Sequence, residues 1–138
     1  MRPGSNRLSV CVCLILWVMT GCNLTQPSRA PISESGFTQA QRDAEQLLQS
    51  GLTQYDQGQY KRAAATLQQA LDMGLATANQ TRAYKHLAFI SCTSNRERQC
   101  RNEFRKALEL DSRFDLTPAE AGHPQWGPIF RSVKATSK

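Results

Sequence analysis

Five cysteines and two histidines are the side chains of this chain best suited to chemistry, and their spacing narrows what that chemistry is. Cys11, Cys13 and Cys22 lie near the start, and Cys92 and Cys100 stand together in the second half. No Cys-x-x-Cys pair is present, which removes thioredoxin-type exchange. No second Cys or His pair lies at ligand spacing, so no metal is expected, and no other cofactor. His86 stands beside Lys85 in a helical stretch, and His123 sits in a Gly122-His123-Pro124 turn. Neither has a nucleophile or carboxylate at readable spacing, and Glu120 reads as a capping residue rather than a general acid. There is no Ser-His-Asp order, glycine-rich phosphate loop or paired-carboxylate motif. The chemistry-bearing residues therefore point away from an enzyme and away from a small-molecule substrate.

What precedes Cys22 gives that thiol a different role. Basic Arg2 and Arg7 are followed by an apolar run from Leu8 to Val18, the layout of an export signal and too short to span a bilayer. Val18-Met19-Thr20-Gly21-Cys22 resembles a bacterial lipobox, with Met19 where Leu is more usual. In such a box a signal peptidase cuts before the Cys, and the thiol receives palmitate-type acyl chains. A secreted protein with a chance Cys here is the alternative. Each buried CH₂ contributes about 0.8 kcal/mol, so several chains anchor stably where one would be marginal. Residues 1–21 read as the signal peptide. Residues 22–36, with Pro27, Pro31 and many hydroxyl groups, read as the lipidated N-terminus and a flexible tether. Asn23 follows Cys22, a pattern resembling lipoproteins sent to the outer membrane.

Export also organises the remaining composition. Loss of Arg2 and Arg7 takes the 17 Lys and Arg residues to 15, against 11 Asp and Glu. That mild excess favours solubility and gives little support to nucleic-acid binding. Cys92 and Cys100 are an even pair in an oxidising compartment, where a disulfide is the expectation and two buried thiols the alternative. Arg96, Arg98, Arg101, Arg105 and Lys106 concentrate positive charge on one predicted helix. They read either as a solvated face or as a contact for acidic protein or lipid head groups.

These residues are positioned by helices throughout. Ala40, Ala44, Leu47, Leu48, Gly51, Leu52 and Tyr55 share one face of a first helix, with Thr38 and Gln41 spaced for a capping box. Residues 56–59 break the pattern. Tyr60, Ala63, Ala64, Leu67, Ala70 and Leu71 then line a second helix, and Gly74 supplies its left-handed end. A longer link, around 76–80, leads to a third helix carrying Ala83, Leu87, Ala88 and Ile90. Thr93-Ser94-Asn95 makes a turn before a fourth helix with Cys100, Phe104, Ala107 and Leu108. Leu116-Thr117-Pro118-Ala119-Glu120 has the form of a capped short helix, and Trp126, Ile129, Phe130 and Val133 share one side of a last one.

Displaced by 37 positions, Gly51 pairs with Ala88, Ala63 with Cys100, Leu67 with Phe104 and Ala70-Leu71 with Ala107-Leu108. Small residues match small and large match large, a pattern that resembles the tetratricopeptide repeat. The first repeat lacks the usual aromatic residue near Leu47, and the second has Ser112 where Pro is usual. A plain four-helix bundle is the alternative. The expected fold is all-α: two such hairpins over 37–115 and a capping segment over 116–138. In tetratricopeptide proteins ligands lie against the first helix of each repeat. That resemblance implicates Leu48, Leu52, Tyr55, Lys85 and Phe89, although several of them also suit packed core.

The second half carries a narrower likeness. Lys85-His86-Leu87-Ala88-Phe89-Ile90, Cys92, Cys100-Arg101-Asn102-Glu103-Phe104 and the run from Phe114 to Pro128 resemble the TssQ family of lipoproteins associated with type VI secretion. The resemblance implies a periplasm-facing accessory of the secretion apparatus that binds other envelope proteins; Arg101 and Arg105 are further contact candidates from the charge of the fourth helix alone. A scaffold lipoprotein of another envelope machine, or a regulator of a peptidoglycan enzyme, is the alternative.

Overall fold

A computed structural model describes residues 34–137, with side chains from Gln39 onward. The expected signal peptide, Cys22 and nearly all of the expected tether lie outside the described residues. Within them the chain is all-α: α1 (Glu34–Asp56), α2 (Tyr60–Asp72), α3 (Thr77–Thr93), α4 (Glu97–Leu110), α5 (Pro118–Ala121) and α6 (Trp126–Thr136). None of these helices is long and apolar enough to cross a membrane.

α1 packs on α2 and α3 on α4, each pair joined by three residues. The two turns are built alike. Gly58 (φ 75°) donates its N–H to the Tyr55 carbonyl, and Gln59 donates to Gln54. Asn95 (φ 57°) donates in the same way to Cys92, and Arg96 to Ser91. Both are Schellman ends, in which one left-handed residue lets two amides satisfy the last helical carbonyls. Gly and Asn are the residues that adopt this conformation at least cost. Asn95 thus takes, 37 positions on, the place of Gly58.

Two boundaries differ from the sequence reading. α1 begins at Glu34, so Thr38 lies inside the helix and is not its cap. The helix runs through Gly36, the low-propensity residue at which the tether is expected to end. The link expected around 76–80 is shorter, because α3 starts at Thr77. Leu75, 4% exposed, is sunk in the core and fixes the connection. Gln80 Nε2 then donates to the Leu75 carbonyl at 2.6 Å, holding the first turn of α3 in place of an N-cap side chain.

α3 is the common wall of the structure, packing against α1, α2, α4 and α6. Its Ala83, Leu87 and Ile90 join Ala44, Leu48, Leu52, Ala63, Leu67 and Ala70 in one cluster. Its Ala88, Phe89 and Cys92 join Cys100, Phe104, Leu108, Leu116, Trp126, Phe130 and Val133 in another. Gly51 lets α1 and α2 approach closely, since a Cβ there would lie 2.8 Å from the Leu67 side chain. Phe89 stacks on Trp126 (4.4 Å between centroids), and Phe104 meets Phe130 edge-on, so α6 covers the apolar flank of α3 and α4. At the opposite end α1 presents exposed Arg42, Gln46, Gln49 and Thr53 to solvent. Such a polar end needs no further cover.

The expected capping box opens α5. Thr117 Oγ1 accepts from the Glu120 amide, Glu120 Oε2 accepts from the Thr117 amide, and Pro118 fills the first helical position.

Candidate interaction surfaces

The first helices of the two hairpins and the short α5 bring a line of rings and charges together. Tyr55, at the end of α1, contacts the Tyr60 ring at 5.4 Å and meets His86 of α3 edge-on at 5.1 Å. His86 meets Phe89 at 5.8 Å, and Phe89 leads to Trp126, on which His123 stacks face to face. Beside this line Lys85 of α3 reaches Glu120 of α5 with Nζ 2.7 Å from Oε1. That pair is mostly buried, and the Trp126 indole N–H donates to the Glu120 carbonyl at 2.8 Å. Glu120 therefore closes α5 and ties it to both α3 and α6.

The electrostatics follow from partial burial. Removal from water pushes the Tyr55 hydroxyl up to about 12, helped by the nearby charges of Tyr60, Asp56 and Glu120. It remains a neutral phenol that can donate. Burial lowers His86, against the opposing pull of the Arg82 carbonyl that Nδ1 contacts at 2.8 Å, and the charges of Lys85 and Arg82 lower it further. For Glu120 burial works upward, but Lys85 and the Thr117 amide outweigh it and hold the carboxyl below its ordinary value.

The sequence-predicted contact residues divide on this geometry. Leu48 (0% exposed), Leu52 (6%) and Phe89 (3%) are core, and are corrected as contact candidates. The helical period that put them on one face is the period of the packed face. Tyr55 and Lys85 are half-buried at the surface. Arg101 pairs with Glu97 at 2.8 Å and donates to Ser132 of α6, while Arg105 donates to Asn102. Arg101 is half-buried and Arg105 exposed. The Cys92 and Cys100 sulfurs lie at bonding distance with Cα atoms 5.2 Å apart, closing the tip of the α3–α4 hairpin. Among the described residues no group of three or more His, Cys, Asp and Glu is arranged to hold a metal ion.

Two features escaped the sequence. His123 forms a turn as expected, accepting from the Gln125 amide at Nδ1, but it also stacks on Trp126, a contact three residues on that the Gly-His-Pro pattern does not announce. Glu103 is buried, although a glutamate on a highly charged helix reads as solvated. Comparison of the chain with protein-family models, with characterised proteins and with solved structures gave no match.

Proposed function

We propose that this chain is a non-catalytic, lipid-anchored adaptor, held at the outer membrane through Cys22 and facing the periplasm. Its tetratricopeptide-like hairpins present the ring line of Tyr60, Tyr55 and His86 to an envelope protein. The observation that carries this reading is that half-exposed line across α1, α2 and α3, with Tyr60 left 45% exposed. Tyrosine rings at a surface supply large contact area at low entropic cost and are favoured at interfaces. Two hairpins closed by the same Schellman turn 37 positions apart support the repeat reading. The likeness of the second half to the TssQ lipoproteins makes an accessory of type VI secretion the particular role. Anchoring would act by raising the local concentration of the adaptor near its partner.

Photo-crosslinking from residue 60 in intact cells tests the reading. Envelope proteins of the secretion machine captured by wild type but lost in Cys22→Ser support it. Full secretion with Cys22→Ser, or secretion unchanged by deletion of the gene, sinks it.

A further inference from the structure

The two hairpin turns lie at one end of the molecule. Tyr55, at the close of α1, contacts His86 and Phe89 in the last turns of α3, so both hairpins point the same way. Four cations stand at that end: Lys61 and Arg62 in the first turn of α2, and Arg96 and Arg98 where α4 begins. All are exposed, and none forms an ion pair among the described residues. Arg62 donates to Gln59, and the charge of Arg96 also acts on the buried Glu103. The acids beside them are Asp56, which is exposed, and Glu97, which is taken up by Arg101. Lys61 and Arg98 are 37 positions apart, so the repeat sets a cation at the same place in each hairpin. α2 and α4 each pack against α3, and two packing steps put those places no more than about 20 Å apart. An extended chain covers that span in about six residues. Tyr60, 45% exposed, precedes Lys61 and adds its ring to the same surface.

We infer that this end is a docking surface for an extended acidic segment of a partner protein, whose carboxylates meet Lys61 and Arg98. The inference rests on the adaptor reading and names the chemistry of its partner. The sign of the charge disfavours a basic segment. Direction favours protein over lipid head groups. α1 runs 23 residues, about 35 Å, from Glu34 to this end, and Cys22 precedes Glu34 in the chain. The cations therefore stand at the end of α1 remote from the anchored side of the chain.

The test is fluorescence anisotropy of a fluorescein-labelled hexaglutamate peptide, titrated with the full chain in non-ionic detergent at low and at physiological salt. Binding that weakens as salt rises is expected, because exposed charges are screened. Lys61→Gln with Arg98→Gln removes the repeat-related pair and should weaken binding about tenfold, at roughly threefold per exposed charge. Arg42→Gln with Arg113→Gln takes the same charge from the beginning of α1 and the far end of α4. That control should leave binding within about twofold, since screening confines each charge to its neighbourhood. No binding at either salt, or equal loss in the two double variants, overturns the inference. So does full displacement of the peptide by phosphatidylglycerol doped into the micelle, which would assign the surface to lipid. A partner still crosslinked from residue 60 in those cases leaves the adaptor reading standing. The substituted residues are all exposed, and circular dichroism of each variant shows that a loss is not unfolding.

Discussion

Reducing the Cys92–Cys100 pair gives the sharpest measure of what holds the second hairpin. The two residues are separated by 8 positions. For a loop of that length the chain-entropy relation gives about 2.5 kcal/mol of stabilisation through the unfolded state. A helical domain of roughly one hundred residues loses about 10 °C of Tm for that change. Both sulfurs are buried, Cys92 at 6% and Cys100 at 0% exposure, so thiols left in the same pocket keep nearly all the packing. The cost should therefore be almost entirely the loop term. The double substitution Cys92→Ala and Cys100→Ala should melt lower still, because it also empties volume against α3 and α6. Burial shields the bond, so the protein must be reduced while unfolded and then refolded under reductant. Mass spectrometry confirms two free thiols, and calorimetry reads the shift. A doubly reduced protein that melts within about 2 °C of the oxidised form would refute the reasoning, since a formed cross-link must constrain the unfolded chain.

Three further outcomes are expected. Burial holds the Glu103 carboxyl above its ordinary value in the folded chain, against the opposing hydrogen bonds from Ser91 and Gln99. The unfolded chain therefore ionises first, and stability contributed below the ordinary carboxylate range is lost as pH rises. Glu103→Gln should accordingly be more stable than wild type near neutral pH and indistinguishable below about pH 4 in urea titrations; a constant difference across that range would contradict it. Thr117→Ala removes the cap of α5 and should cost about 1 kcal/mol by chemical denaturation, with an unchanged midpoint as the contrary result. A Cβ on Gly127 would collide with the Ala121 carbonyl, so Gly127→Ala should lower stability by about 2 kcal/mol or more and quench less Trp126 fluorescence in the folded state; wild-type stability would show that α5 and α6 can separate freely.

Local chemistry made most of the fold legible. Thr117, Pro118 and Glu120 specify α5 within four residues, and the period of Ala63, Leu67 and Ala70 specifies the buried face of α2. α3 resisted the same treatment. Eight of its residues are buried, and a helix enclosed on most sides has no single apolar stripe. Periodicity could not separate Phe89, which faces α4 and α6, from Tyr55 and Lys85, which reach the surface. The start of α3 was hidden for a related reason: Thr77 and Asn79 have low helix propensity, and the contact that holds them comes from Gln80 reaching back to Leu75. Glu103 illustrates the remaining limit. Its burial depends on how α4 crosses α3, and the charged neighbours Arg101 and Arg105 give the opposite impression in sequence.

The position of α3 between the two clusters has a consequence for how the chain can be divided. A break in the 73–76 connection would separate α1 and α2 from everything that follows. The first fragment would keep Leu48 and Leu67 without the Leu87 and Ile90 that cover them, and the second would carry that same strip uncovered. The second piece keeps the cluster around Phe104 and Trp126, yet each piece carries an apolar strip that the other covers. Two separately made halves, 34–74 and 75–137, would then recognise one another as partners and restore a single folded body, with each half serving as the other's missing interior.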